Sequence, residues 1–308
     1  MKQDEKQILV YGGTGHYGKK IVEKLVLKGE PVKVVSRNAE RAHEILGESV
    51  EIVQGDVTNK ETITKSLENV KAIIICLSAM SNKLFRKMKK IERDVVLEIM
   101  AQAKKANIRR LIYLSGYEIR EQVLNDLNIL DFGEIKLEIE YKISQSDFNW
   151  TILGCAPSFE IFFAFIRNGK MSVPGGGFKA IPCISAEDVG EIAAQVVLRD
   201  DLSKRRIKLT GPEAFSFPEA ASRISLLSGK KIKHQSIPLF IVNSVSFLLL
   251  PFAPFARYLY KSLKLLNNFP EDLAQNVPAD YKILRALFDY EPVTLDLEIK
   301  YRLKENRT

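Results

Sequence analysis

Short apolar runs alternate with amphipathic segments along the first half of the chain. The runs are rich in β-branched residues and show no regular polar alternation, which is typical of strands buried on both faces of a parallel sheet. Segments with helical periodicity follow after short links; in the first of them Ile21, Val22 and Leu25 share one face. The pattern predicts strands at 8–11, 32–35, 50–53, 72–77, 110–114 and 150–153, helices at 17–28, 38–46, 61–67 and 132–146, and a long helix that ends near residue 105.

This strand–helix alternation predicts βαβ units, and therefore an α/β protein with a doubly wound parallel sheet. The pattern changes after Gly154, where a turn-rich stretch at 174–177 is followed by mostly helical segments. A helix over 186–198 begins after Ser185, a typical N-cap residue, and we expect it to pack back on the first domain. We predict a first domain over 1–154 and a smaller, mostly helical C-terminal substrate domain over 155–308.

A glycine-rich turn joins the first strand to the first helix. Its residues are Gly12, Gly13, Thr14, Gly15, His16, Tyr17 and Gly18, so Gly-x-Gly-x-x-Gly stands in the strand–turn–helix context that a dinucleotide-binding fingerprint requires. Glycines let the backbone turn tightly and approach a pyrophosphate closely, and the helix N-terminus adds partial positive charge. We therefore expect a Rossmann fold in which these seven residues bind a dinucleotide.

The end of the second strand indicates which dinucleotide is bound. Sites that prefer NAD usually carry a carboxylate there, which binds the ribose 2′-hydroxyl. The corresponding stretch contains Ser36 and Arg37 and no acidic residue. Because a guanidinium group binds a 2′-phosphate well, we predict that Ser36 and Arg37 contact NADP and that NAD is the less favoured cofactor. The alternative is an Arg37 that faces solvent at the start of the next helix.

Two further loops follow strands where a doubly wound sheet contacts its cofactor. Asp56 and Val57 follow the third strand, and a carboxylate there is suited to accept from the adenine amino group. Leu77 and Ser78 follow the fourth strand and would line the adenosine or nicotinamide side. By position alone, each pair is equally consistent with a plain loop.

These motifs resemble those of the NmrA-like atypical short-chain dehydrogenase/reductases over about residues 7–230. The later motifs that carry the resemblance are Leu114-Ser115, Lys136, Trp-Thr-Ile-Leu at 150–153 and Ile-Ser-Ala-Glu-Asp-Val at 184–189. The resemblance implies an NAD(P)-binding Rossmann domain with a small substrate domain. It implies either a reductase or a cofactor-binding regulator without turnover, because the family includes both.

The catalytic pattern of that family is only partly present. Active short-chain dehydrogenases carry Tyr-x-x-x-Lys after the fifth strand, and this chain has Phe132 and Lys136 at those positions. The resemblance implies that Lys136 holds the nicotinamide ribose and acts in catalysis, and that Ser115 lies near the substrate carbonyl. Tyr117 is a candidate replacement for the missing phenol. The structural alternative for Lys136 is an i,i+4 pair with Glu140 on an exposed helix face.

Residues 235–256 form a stretch of 22 residues without a charge, with basic residues on both sides. The stretch is as long as a bilayer span, but it contains Pro238, Pro251 and Pro254. We expect an apolar helix of the substrate domain that covers the cleft. The alternatives are a true span and an interfacial helix, which would make peripheral contact with a membrane and meet an apolar substrate there.

Composition and charge narrow the function classes. The 308 residues are 46% hydrophobic and 27% charged, which excludes a disordered, collagen-like or coiled-coil chain. The net charge of +8 fits an anionic ligand, but no recognition-helix pattern or aromatic platform supports nucleic-acid binding. Basic residues cluster at 83–90, 204–208 and 230–233, and we interpret each cluster as a solvated surface.

Three scattered cysteines, Cys76, Cys155 and Cys183, show no metal-ligand spacing, so no metal site is predicted. Sparse cysteines and an N-terminus without a secretory signal favour a cytoplasmic protein. The residues and the resemblance predict an NADP-dependent reductase that transfers a hydride to a small, apolar carbonyl or quinone-like substrate, with Lys136 and Ser115 stabilising charge on oxygen. The alternative is a non-catalytic NADP(H) sensor that acts through a protein partner. The substrate and the oligomeric state stay open.

Overall fold

The computed structural model describes residues 6–305, and seven of its strands form a central sheet. These strands are β1 (Gln7–Tyr11), β2 (Val32–Ser36), β3 (Glu51–Gln54), β4 (Val70–Ile75), β5 (Arg110–Gly116), β6 (Asn149–Cys155) and β10 (Arg205–Leu209). Their order is β10-β6-β5-β4-β1-β2-β3, and β1 pairs in parallel with both β2 and β4. The strand order therefore reverses between β1 and β4, the position at which such sheets bind ligands. The predicted α/β fold class is confirmed.

The connections between these strands include the six helices that the sequence predicted: α1 (His16–Leu27), α2 (Ala39–Leu46), α3 (Lys60–Ser66), α4 (Val95–Lys105), α6 (Leu130–Ser144) and α8 (Ala186–Val197). The C-terminal end of each helix lies within a few residues of the predicted end. Asn38 caps α2 by accepting from the Arg41 N–H, and Ser185 accepts from the Glu187 N–H, as its N-cap character predicted. The predicted long helix before β5 ends at Lys105 as expected, and a π-helical turn (Lys90–Asp94) leads into α4 without a break in the helical backbone.

The continuous apolar runs are explained by burial on both faces of the sheet. Every residue of β1 is buried, and Ile73, Ile74 and Ile75 of β4 have no exposed surface. One face of the sheet packs on α4 and α6, where Ile99 and Ile139 belong to the same apolar cluster as Ile73. Each such side chain contributes about 1.5–3 kcal/mol when it is withdrawn from water.

The described chain divides into two compact units, each of which consists of three separate segments of the chain. The first unit contains 6–119, 134–154 and 189–207, and the second contains 120–133, 155–188 and 208–305. Residue 154 is thus one of several points at which the chain passes from one unit to the other. Most of α8 lies in the first unit, where a Cβ on Gly190 would meet the backbone of α1 at 2.8 Å.

The second unit combines two small sheets with helices. Strands β7 (Ile166–Arg167), β8 (Lys170–Pro174) and β12 (Lys233–Ile237) form one sheet, and β9 (Ile181–Pro182) and β11 (Ala214–Phe215) form the other. Its helices are α5 (Glu121–Asp126), α7 (Glu160–Ala164), α9 (Phe217–Ser228), α10 (Leu239–Leu248), α11 (Pro254–Asn267), α12 (Glu271–Gln275), α13 (Val277–Leu287) and α14 (Leu295–Glu305). Phe162 and Phe217 meet edge to face in its core, with ring centres 5.0 Å apart.

The charge-free stretch 235–256 is not the single packed helix that the sequence predicted. Residues 235–237 complete β12, α10 follows after Pro238, and a turn at 249–253 separates α10 from α11. Pro251 and Pro254 lie in or just after that turn, because proline is tolerated there and not within a helix. Within residues 6–305 the structure contains no helix that is long and apolar enough to cross a membrane.

A buried arginine links three elements of the first unit and provides a test of its packing. The Arg110 guanidinium donates to the Asn149 carbonyl, the Thr151 hydroxyl and the Val196 carbonyl. We expect Arg110→Met to lower the free energy of unfolding by about 3 kcal/mol, because the substitution leaves these buried acceptors unpaired. Arg109→Met, at the exposed neighbouring position, should change it by less than about 0.5 kcal/mol. Urea denaturation followed by circular dichroism measures both, and equal midpoints for the two variants would contradict the assignment.

Candidate functional site

The turn between β1 and α1 consists of backbone packed closely against backbone. Gly12 has a φ of +85°, which favours glycine, and its carbonyl oxygen accepts from the Gly15 N–H at 2.9 Å. A Cβ on Gly18 would lie 2.0 Å from that oxygen, and a Cβ on Gly12 would lie 2.6 Å from the carbonyl oxygen of Cys76. The N-terminus of α1 is thereby brought to the carboxyl ends of β1 and β4, where its dipole favours an anion.

A cleft of about 790 Å³ opens at this end of the sheet, within the first unit. Eleven of the predicted cofactor-binding residues line it: Gly12, Thr14, Gly15, His16, Tyr17, Ser36, Arg37, Asp56, Val57, Leu77 and Ser78. Gly13 and Gly18 lie behind the lining; a Cβ on Gly13 would meet the Val34 side chain at 2.7 Å. Lys136 and Ser115 do not line the cleft. Its volume is in the range of ligand-binding pockets.

Three cationic side chains line this cleft: Arg37, Arg41 and Lys87. The sequence analysis predicted only the first. Arg41 lies four residues after Arg37, in the first turn of α2. Lys87 belongs to the basic cluster 83–90; it is exposed, as that interpretation predicts, and it also lines the cleft. The glycine turn, the helix N-terminus and the cations together fit an anionic dinucleotide.

Asp56 is fixed in the turn after β3. Its Oδ1 accepts from the Thr58 N–H at 2.8 Å, and this hydrogen bond is the main cause that lowers the pKa of Asp56. Arg37 and Lys87 lower the same pKa by smaller electrostatic contributions. The carboxylate is therefore ionised at neutral pH and can accept a hydrogen bond from a ligand.

Cys76 also lines the cleft but is not poised for nucleophilic chemistry. Burial raises the pKa of its thiol to about 12, and the thiol donates to the Tyr11 carbonyl at 3.1 Å. The thiolate, which is the reactive form, is therefore not populated at neutral pH. Across residues 6–305 no group of three or more His, Cys, Asp or Glu side chains is placed to hold a metal ion.

Lys136 lies in a charged cluster that the sequence analysis did not predict. Its Nζ donates to the Tyr113 hydroxyl at 3.2 Å and lies 3.5 Å from the Glu92 carboxylate. Glu92 in turn accepts from the Ala79 N–H at 2.7 Å, next to Ser78 of the cleft lining. The structural alternative of a pair with Glu140 is wrong, because Glu140 instead binds the Arg206 guanidinium at 2.8 Å.

The charge of Lys136 is set by two opposing influences. Burial alone would lower its pKa, but Tyr113 and the Glu92 carboxylate raise the pKa by more, so that it lies above the ordinary value for lysine. Burial raises the pKa of the Tyr113 phenol, although the neighbouring ammonium group opposes this effect. Lys136 is therefore a fixed cation at neutral pH, and Tyr113 is a neutral phenol beside it.

The remaining predicted catalytic positions have different surroundings. The hydroxyl of Ser115 is buried and has no hydrogen-bond partner within residues 6–305. Tyr117 is buried, and its backbone carbonyl accepts from Arg206 at 2.9 Å. In the second unit, the ring of Phe132 packs on that of Tyr258 with centres 4.7 Å apart. An apolar contact thus occupies the position at which short-chain dehydrogenases carry their phenol.

Comparisons with known proteins agree on a nucleotide-binding fold. The profile of the NAD(P)H-binding family matches residues 12–199. Photosystem II assembly factor Ycf39 of Trieres chinensis is 24% identical over 244 residues, which are 78% of this chain and 74% of that protein. NAD(P)H azoreductase of Xenophilus azovorans is 23% identical over 238 residues, 75% of this chain and 77% of that protein.

A solved structure covers nearly the whole chain. The crystal structure of an NADPH-dependent quinone oxidoreductase of Escherichia coli, in complex with NADPH, matches with a TM-score of 0.72 at 18% identity, over 96% of this chain and 99% of that chain. The family profile begins in the glycine turn and ends just after α8, so the matched range contains the cleft, Ser115 and Lys136.

The close contact at Gly18 predicts how nucleotide binding depends on the turn. Gly18→Ala should weaken NADPH binding by at least about tenfold, because the added methyl group displaces the N-terminus of α1 and its dipole from the ligand. Gly15→Ala, with 3.1 Å to the Gly12 carbonyl oxygen, should have a milder effect. Gly29→Ala lies beyond the other end of α1 in open space and should lower stability through its φ of +78° without changing NADPH affinity. Fluorescence titration measures these affinities; an unchanged affinity in folded Gly18→Ala would contradict the role of the turn.

Proposed function

The chain belongs to the NAD(P)H-binding family, and on this basis we propose that it is an NADPH-dependent reductase of a small, apolar carbonyl or quinone-like compound. The observation that carries the proposal is the position of the Lys136 ammonium group. Glu92 and Tyr113 hold it, and Glu92 also binds the loop after β4 that contributes Leu77 and Ser78 to the cleft. A fixed cation at such a place stabilises negative charge that develops on a substrate oxygen.

The charges of the cleft support NADPH as the cofactor. Arg37, Arg41 and Lys87 are the cations of the lining, and the one carboxylate among the lining residues, Asp56, is engaged by the Thr58 N–H. Guanidinium groups bind phosphate through two parallel hydrogen bonds, and a cation is not needed for the 2′-hydroxyl of NADH. We therefore assign the three cations to the 2′-phosphate region.

Residues of the first unit provide the groups that a reduction needs. When bound, NADPH supplies a hydride, and the oxygen of the reduced group then carries negative charge. The Lys136 ammonium has three N–H donors, of which Tyr113 and Glu92 engage two; we assign the third to this oxygen. The unpartnered, buried hydroxyl of Ser115 is the second donor of the proposed site.

The missing phenol favours quinone-like substrates over simple ketones. Reduction of a ketone leaves a strongly basic alkoxide, which needs a positioned acid such as the tyrosine that Phe132 replaces. Reduction of a quinone leaves a much less basic phenolate, for which a fixed cation and proton uptake from water are sufficient. The names of two similar proteins, a quinone oxidoreductase and an azoreductase, support electron-poor, apolar acceptors of this kind.

A second candidate function is a non-catalytic NADP(H)-dependent regulator. It is favoured by the apolar contact of Phe132 with Tyr258 and by the similarity to Ycf39, which is named as an assembly factor for photosystem II. In that case Lys136→Met should weaken NADPH binding alone, and a panel of quinones, azo compounds and activated carbonyls should show no NADPH oxidation. NADPH should then alter the rate of limited proteolysis in the second unit.

Selectivity between the two nucleotides tests the assignment of the cations. The unmodified protein should bind NADPH more tightly than NADH, and Arg37→Ala should reduce this preference by about 1.5–3 kcal/mol, the contribution of a charge-assisted hydrogen bond. Arg41→Ala and Lys87→Ala should reduce it less, and Arg86→Ala, at an exposed position outside the cleft lining, should not change it. Equal affinities of the unmodified protein for the two nucleotides, measured by calorimetry, would contradict the assignment of the cations to the 2′-phosphate.

Turnover of a quinone such as menadione tests the role of Lys136. Lys136→Met should lower kcat by about 10²–10³-fold, as expected for the loss of one donor to a developing oxyanion. Glu92→Gln should instead shift the alkaline limb of the pH profile to lower pH, because the lost carboxylate no longer raises the pKa of Lys136. Lys142→Met, on the exposed side of α6, is the matched control and should leave kcat unchanged. Turnover that survives Lys136→Met undiminished would contradict this mechanism and leave the cofactor assignment standing.

A further inference from the structure

Helices α10 and α11 form an ordered hairpin in the second unit. Arg257 of α11 donates to the Asn243 side chain of α10 at 2.5 Å, and its guanidinium stacks on Tyr260, 4.7 Å from the ring centre. The same guanidinium lies 3.4 Å from the hydroxyl of Ser246, which is buried. The five residues 249–253 join the two helices, and we call the segment 247–252 the hairpin tip.

The hairpin tip is apolar and exposed. Phe247, Leu248 and Phe252 are exposed over 65%, 73% and 82% of their surface. Eight large apolar side chains are exposed within the thirteen residues 240–252: Phe240, Ile241, Val245, Phe247, Leu248, Leu249, Leu250 and Phe252. Single exposed apolar residues are ordinary, but a contiguous group of this size marks a contact surface for a protein or a membrane.

The stretch of sequence that contains the hairpin carries charge of one sign. Residues 220–270 contain no Asp or Glu and seven basic residues. Four of these are already engaged. Arg223 and Lys261 pair with Asp296 and Asp131, Arg257 binds Asn243, and Lys264 donates to a backbone carbonyl. Three exposed lysines lie at or just before the first residue of β12, which precedes α10: Lys230, Lys231 and Lys233. The segment that carries the apolar tip is thus basic in sequence and free of acidic residues, which is complementary to a surface that is apolar beneath and anionic above.

An anionic bilayer matches this combination better than a second copy of the chain. A symmetric dimer through the tip would place the same basic residues of both copies near one another, where they repel. The surface of an anionic leaflet attracts lysine side chains and accepts apolar ones below its headgroups.

We infer that the hairpin is a membrane-docking element that inserts its tip into the interface of an anionic phospholipid bilayer, with Lys230, Lys231 and Lys233 at the headgroups. The ten residues of α10 span about 15 Å, half the thickness of the hydrocarbon core, so the hairpin lies in the interface. No residue of the hairpin lines the nucleotide cleft, so this inference does not depend on the proposed reductase activity.

Co-sedimentation with vesicles, without any nucleotide, tests the inference. The protein should sediment with vesicles of phosphatidylcholine mixed with phosphatidylglycerol, bind vesicles of phosphatidylcholine alone more weakly, and lose the difference at high salt. The triple variant Phe247→Ser/Leu248→Ser/Phe252→Ser should lower the affinity by more than about tenfold, the factor for returning even one such side chain to water. The control Leu27→Ser/Leu226→Ser removes side chains that are exposed over 73% and 78% elsewhere and should bind as the unmodified protein does.

A tryptophan at the tip reports insertion directly. Trp150 is the single tryptophan of the chain, so Phe252→Trp in a Trp150→Phe background has one emitting group, whose spectrum should shift to the blue with the mixed vesicles. Circular dichroism confirms that each variant is folded. No sedimentation of the unmodified protein, or undiminished sedimentation of the folded triple variant, would overturn the inference. A dimer that forms without vesicle binding and that the triple variant abolishes would overturn it in favour of a second copy.

Discussion

The contact of one backbone with another at the β1–α1 turn determines the geometry of the first unit. The carbonyl oxygen of Gly12 occupies the space that any side chain on Gly18 would need, so α1 approaches the sheet more closely than other residues permit. This approach places the helix N-terminus where the strand order reverses, between β1 and β4. The loops that follow β2, β3 and β4 then line a single cleft with residues that are far apart in the sequence. The fold and the nucleotide site thus both depend on the absence of side chains at Gly12 and Gly18.

The sequence was sufficient to predict what depends on local pattern. Continuous β-branched runs identified the strands of the first unit, and the glycine spacing identified the turn, because both signals lie within a few residues. The family profile and the structural match confirm the predicted resemblance at the level of the NAD(P)H-binding family and the fold. The side-chain assignments at Ser115 and Lys136 stay predictions, although the structure shows which groups surround them.

The sequence was insufficient to predict the structural features that depend on tertiary contacts. Glu92 stands between Ile91 and Arg93 and reads as a solvated position of a long helix, but a π-helical turn buries it against Ala79 and Lys136. The five strands of the second unit have two to five residues each, and some pair with distant segments: β12 lies beside β8, some sixty residues earlier. The sequence predicted one helix over 235–256 because no charged residue marks the end of β12 or the turn at 249–253.

Because each unit consists of separate chain segments, the first unit is completed late during synthesis on the ribosome. β10 is the edge strand of the central sheet and covers the outer edge of β6, yet about fifty residues separate the two strands in the chain. At the usual pace of translation, about 3–10 s pass between the two strands. During that interval a nascent chain carries the uncovered edge of an apolar strand, a template for pairing with other chains. Chaperone binding to the nascent chain is therefore most useful between the emergence of residues 155 and 205.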